Sequence, residues 1–135
     1  MAQPTRGVRN NNPLNIRHNP RNRWLGLSIN QTDPAFCQFE SITYGVRAAM
    51  KLLRNYAIQM KRCTIKDYIT RWAPPSENNT QNYIDFICKE IDYPSNINLY
   101  FSDSKRFIAM VRAMGKMESN YIIPDEILND AYDMV

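Results

Sequence analysis

The sequence predicts an all-α fold with at most a short β-hairpin, gathered into a single domain over residues 1–135. Two observations carry that reading. From Tyr44 onward, apolar residues recur at helical spacing in stretch after stretch. Between those stretches lie helix-stopping prolines, Asn/Ser-rich loops and capping residues. The length suits one domain and can bury a real core. With 44% hydrophobic and 22% charged residues, the chain belongs to the soluble globular class. No apolar run approaches the length of a membrane span, so membrane insertion is not expected. The opening MAQPTRGVR lacks the apolar core of a secretory signal, which predicts synthesis in the cytoplasm and departure, if any, by another route.

Residues 6–24, RGVRNNNPLNIRHNPRNRW, are dense in Asn and Arg, and no acid occurs before Asp33. Asparagines tolerate turn conformations and offer both a donor and an acceptor, and Pro13 pushes Asn12 away from helical geometry. The segment therefore reads as a series of tight turns without a helix. The spaced apolar residues Val8, Leu14, Ile16 and Trp24 favour an ordered polar binding loop over a disordered basic arm. Amides and guanidinium groups suit sugar hydroxyls and acetamido groups, and an indole suits a pyranose face.

Residues 35–39, AFCQF, allow a short extended piece. Ser41 or Thr43 can cap a helix from Tyr44 to Met60, whose Ala48, Leu52, Leu53 and Tyr56 share a face, with Gly45 in its first turn. Thr64 and Asp67 form a capping-box pattern before a face of Ile65, Tyr68, Ile69 and Trp72, and Pro74 and Pro75 stop that helix. Tyr68 and Trp72 read as core. Thr80 is a candidate N-cap for a helix through Tyr83, Ile84, Ile87 and Ile91. Ser102 or Asp103 caps a helix from Ser104 to about Glu118, and Pro124 starts a last short helix. That makes about five helices by pattern.

Cys37, Cys63 and Cys88 match no metal or redox spacing, and His18 stands alone. Reduced, packed thiols are expected, with no metal site and no cofactor. The first 24 residues carry only positive charge, whereas acids alone follow Lys116; the two ends are expected to lie near each other.

The carboxylates are where chemistry would sit. Phe107, Val111 and Met114 form an apolar stripe, and Glu118 is its next position. A glutamate there should be partly desolvated and hold its proton, as glycosidic-bond cleavage requires of an acid. Spacing alone favours the plainer reading, a glutamate that ends the stripe at the surface. Glu77 reads first as a favourable charge before a helix N-terminus, and Glu40 as a capping or cleft residue. Arginines beside aromatics are also a footprint of nucleic-acid binding, but the basic residues are few, lie in loops and form no recognition helix, so nucleic acid is disfavoured.

The runs RGVRNNNPLNIR, Trp24-Leu-Gly26, FCQFES from Phe36, YGVRAAMKLLRNY from Tyr44 and ITRWAPPSENNT from Ile69 resemble a family of small bacteriophage and prophage virion ("structural") proteins. Its opening motif is similar to GIRNNNPGNIR, and it is associated with a lysozyme-like, peptidoglycan-degrading fold. In that family a Glu-Asn-Gly tripeptide precedes a proline and a terminal helix; here the matching residues are Glu118, Ser119 and Asn120, and Leu14 stands where the family often has Gly. Lysozyme-like glucosaminidases carry a catalytic glutamate at a helix end, followed by an Asn-rich motif and a Trp/Gly region. In this chain the glutamate comes last, which a circular permutation would reconcile, provided Glu118 lies close to Asn10–Asn15.

The resemblance implies a phage-associated protein that cleaves the glycan strand, as a glycoside hydrolase or a lytic transglycosylase. Glu118 would be the general acid, with Glu40 or Glu77 as a possible second carboxylate. Asn11, Asn12, Asn15, Arg17 and Trp24 would hold the substrate. Peptidoglycan is the implied partner, with other virion proteins beside it, and the site of action is the cell wall or the virion. The alternatives are a non-catalytic virion structural or wall-binding protein of the same fold and, third, a nucleic-acid-binding virion protein.

Overall fold

The computed structural model describes residues 3–76 and 79–135. Among the described residues it is helical throughout: α1 Arg6–Arg9, α2 Ile42–Met60, α3 Ile65–Trp72, α4 Thr80–Ile91, α5 Ser104–Ser119 and α6 Asp125–Asp133. The expected extended piece pairs only through isolated antiparallel bridges, Arg17 with Phe36 and Leu27 with Phe39. No helix among the described residues is long and apolar enough to cross a membrane.

Most start signals act as written. Ser41 accepts from the Tyr44 amide and caps α2. Thr64 and Asp67 close a full capping box on α3, satisfying two backbone donors reciprocally. Two expectations are corrected. Asn79, rather than Thr80, caps α4 by accepting from the Asn82 amide; the Thr80 hydroxyl is buried and donates to the Ala73 carbonyl, tying α4 to the end of α3. The opening segment does form a helix, the single turn α1, because the Arg9 and Asn10 amides reach the Thr5 and Arg6 carbonyls before Asn11, at φ 53°, breaks the run.

α2 packs on α6, α4 on α5 and α3, and α1 on the far end of α5. Phe107, Met110, Val111 and Met114 of α5 are fully buried at the centre. Tyr68 is core as expected, its hydroxyl donating to the Leu99 carbonyl. All three cysteines are free thiols, and burial pushes each above its ordinary range. Cys37 Sγ lies 3.9 Å from His18 Nδ1, but a buried thiol held protonated is no nucleophile.

In the acidic tail Arg112 pairs with Asp125 at 2.6 Å, and Arg47 donates to the Met134 backbone carbonyl. What joins the N-terminal loop to the end of α5 is neutral hydrogen bonding, not the opposite charge of the two ends.

Candidate functional site

The asparagine run is divided between architecture and site. Asn12 is completely buried. Its Nδ2 donates to the Ile16 and Cys37 carbonyls at 3.0 and 2.9 Å, and its Oδ1 accepts from the Ile16 amide at 2.9 Å. Every hydrogen-bonding direction it needs is met within the chain, so it staples the loop to segment 35–39 and has nothing left for a ligand. Asn11 donates to the Phe39 carbonyl at 2.9 Å. Asn11 and Asn15 both sit in the left-handed region, at φ 53° and 55°, which Asn accepts more readily than other side-chain-bearing residues. Leu14 and Ile16 pin the loop into the core.

The loop can lie this close to α2 because position 45 is glycine. A Cβ there would meet the Asn11 carbonyl oxygen at 2.0 Å. Gly45 is therefore a requirement of close approach, beyond being a tolerable first-turn residue.

At the other side the loop meets the end of α5, more than a hundred residues away in sequence. Thr5 Oγ1 donates to the Ser119 carbonyl at 2.8 Å, and Ser119 Oγ donates to the Pro13 carbonyl at 2.7 Å. Asn15 Nδ2 faces both the Glu118 carbonyl and Glu118 Oε1, each at 3.3 Å. Glu118 thus lies against the Asn10–Asn15 loop, as the permuted arrangement requires. The α5 stripe places Glu118 at the edge of the core, half-buried. From α4, Tyr83 donates its hydroxyl to Glu118 Oε2 at 2.9 Å.

Burial raises the Glu118 pKa; the hydrogen bonds of Tyr83, Asn15 and Trp72 and the charge of Arg17 oppose that rise without cancelling it. Burial, and then the neighbouring Glu118, push the Tyr83 phenol well above its usual range, so it remains a donor. Desolvation thus favours the protonated form of this carboxyl.

Beside this cluster lies a cleft of about 530 Å³ whose wall includes Asn15, Arg17, Arg21, Tyr56, Arg71 and Trp72; Glu118 itself does not line it. Asn15 and Trp72 belong both to the wall and to the ring of groups around Glu118. Tyr56 and Trp72 meet edge-on, 6.4 Å between centroids, and the Arg71 guanidinium lies 4.6 Å over the Tyr56 ring. A larger, open depression of about 830 Å³ lies beside Lys61, Arg62 and Asp67. Its acid is already spent in the α3 capping box, so volume alone does not make it the reactive site.

The residues singled out in sequence are distributed as follows. Asn15 and Arg17 are at the cleft; Glu118 does not line it and touches it through Asn15 and Trp72. Asn11 and Asn12 shape the loop. Trp24 is half-buried against the core, its Nε1 without a hydrogen-bond partner, and it does not line the cleft; the aromatic surface comes from Trp72 and Tyr56. Glu40 is exposed, just ahead of the Ser41 cap, and does not line the cleft. Glu77 lies outside the described residues. Tyr56, Arg71, Trp72 and Tyr83 escaped the sequence reading because each lies on or beside an apolar helical face and reads as packing. The run ITRW, which closes α3 beside the cleft, was the available signal.

Among the described residues no group of three or more His, Cys, Asp or Glu side chains comes together to hold a metal. The fold and site define a small helical domain with a half-buried glutamate, its pKa raised by burial, beside a basic, aromatic-walled cleft. The chain is 38% identical over 131 residues to Protein P5 of Pseudoalteromonas phage PM2, a match that covers 94% of this chain and 80% of that protein. It belongs to the family of that bacteriophage protein. No family model matches it.

Proposed function

We propose that the protein is a phage-associated peptidoglycan-cleaving enzyme with a circularly permuted, lysozyme-like arrangement, in which Glu118 protonates the glycosidic oxygen. The observation that carries this reading is the half-buried Glu118 carboxyl, raised in pKa and held by Tyr83 and by Asn15, which itself lines the cleft. A carboxylic acid that stays protonated is the component such cleavage needs first. Asn15 and Arg17 hold the polar groups of the sugar, and Trp72 and Tyr56 give its ring an apolar surface. The residues lining the cleft include no acid; Glu118 meets it through Asn15 and Trp72. The substrate's own acetamido oxygen displaces the protonated leaving group to form an oxazolinium ion; water opens it in hydrolysis, or the 6-hydroxyl of the same sugar in intramolecular transglycosylation, and the Glu118 carboxylate takes up the nucleophile's proton.

The departures from the family motif fit an intact site. Leu14, in place of Gly, is absorbed wholly into the core. Asn120, where the family has Gly after Glu-Asn, takes φ 49° and caps α5 in the left-handed conformation that Gly would supply.

The test is clearing of purified peptidoglycan sacculi by the wild type and by Glu118→Gln, with co-sedimentation measured alongside. The expected result is clearing by the wild type, a loss of about 10²–10⁴-fold in Glu118→Gln, and binding retained by both. Clearing by both would move the acid elsewhere. Binding without clearing by either would leave a wall-binding virion component.

A further inference from the structure

The cleft beside Glu118 carries more positive charge than a neutral sugar needs. Arg17, Arg21 and Arg71 are all exposed on its wall. Four of the other arginines pair with acids: Arg6 with Asp33, Arg62 with Asp67, Arg106 with Asp103 and Arg112 with Asp125. Among the described residues none of the three cleft arginines is ion-paired.

Two of them are held in place by rings, Arg71 at 4.6 Å over Tyr56 and Arg17 at 5.1 Å over Phe36. A stacked guanidinium keeps its donor fork while losing little freedom on binding, which suits bidentate capture of a carboxylate. Three like charges around one cavity also repel one another, and an anionic ligand relieves that repulsion. The rest of the wall, with Asn15, Asn19, Asn22 and Gln59, offers amides, which match acetamido and peptide groups more closely than a phosphate backbone.

We propose that this cleft selects glycan strands that carry carboxylate-bearing peptide stems over bare glycan, with Arg21 and Arg71 as specificity-determining residues. The proposal rests on the reading of the cleft as a glycan site and names the form of substrate that site takes. The sugar lies over Asn15 and Glu118, and the stem carboxylates reach the arginines along the wall.

The test is co-sedimentation of the wild type, Arg21→Gln, Arg71→Gln and the double variant with two substrates: intact sacculi, and sacculi stripped of stem peptides by an amidase. Clearing is scored in the same tubes. The wild type is expected to be retained several-fold better on intact sacculi, with the preference fading at high salt. Each single variant should lower the ratio of intact to stripped retention by up to about fivefold, the range of an exposed ion pair, and the double variant should abolish it. Equal wild-type retention on both substrates overturns the proposal, as does an unchanged ratio in the double variant or tighter retention on DNA than on intact sacculi. A wild type that clears nothing yet keeps the stem preference removes the enzyme reading and supports this one. A wild type that clears and binds both substrates alike keeps the enzyme and overturns this one.

Discussion

Asp33 and Glu118 are each held by an asparagine of the same N-terminal loop, yet they end in opposite electrostatic states. Asp33 accepts from Arg6 twice, at 2.6 and 2.7 Å, from Asn10 at 2.9 Å, and from the Ala35 and Phe36 amides at 2.9 Å. Those donors, the Arg6 guanidinium first, hold its carboxyl far below the usual carboxylate range. Glu118 has an asparagine and a phenol, and the nearest charge that favours its ionised form is Arg17. Desolvation therefore wins at Glu118 and loses at Asp33. The difference teaches that the asparagine does not decide the protonation state; the number of charged and backbone donors set against burial does. One carboxyl is a fastener for the loop, and the other is shifted toward its protonated form.

The substitution that disturbs both is Gly45→Ala, because the added Cβ collides with the Asn11 backbone and displaces the loop carrying Asn10 and Asn15. Helix propensity alone would make this change stabilising by close to 1 kcal/mol. The expected result is a loss of about 1–3 kcal/mol in urea unfolding, and a stabilised variant would show that the loop does not press on α2.

Tyr83→Phe addresses Glu118 alone. Removing a bond that favours the ionised form raises the Glu118 pKa further. If Glu118 is the acid, the alkaline limit of clearing moves to higher pH, and an unmoved limit would falsify its assignment. The lost hydrogen bond is expected to lower stability by about 1 kcal/mol. The sign for stability follows from the raised carboxyl of the wild type. Its proton favours the folded state fully below the ordinary carboxyl range, and that contribution is lost as pH rises through the folded pKa.

Asp33→Asn affects only the fastener and has the smallest expected effect, since Arg6 is well exposed. Here the sign is reversed. The contribution of a depressed carboxyl is present above its ordinary pKa and is lost as pH falls through the folded value. The urea midpoint should drop at neutral pH, and the gap to wild type should close only in strongly acid solution. A gap that is independent of pH would mean that the pair with Arg6 contributes nothing.

Most of the helical framework was legible because its signals are local. The capping box at Thr64 and Asp67, the α5 stripe ending in Glu118 and the stop at Pro74 each act within one or two turns of chain. The loop was legible as ordered because Leu14 and Ile16 need a core. The division of labour among its asparagines was not. Asn12 and Asn15 are the same residue type three positions apart, and only the position of Cys37 and Ile16 around one and Glu118 beside the other separates a staple from a site residue. Trp24 and Trp72 exchanged roles for the same reason. An indole on an apolar face and an indole in a polar loop give opposite signals in sequence, and packing reversed both.

The sequence by itself determined the all-α class, the ends of most helices and the candidate acid, since periodicity and capping are properties of neighbouring residues. Tertiary structure decided that Glu118 meets Asn15, that Tyr83 and Trp72 lie beside it, and that three arginines without an ion pair among the described residues share one wall. Those facts depend on the approach of segments a hundred residues apart, and no local pattern encodes them.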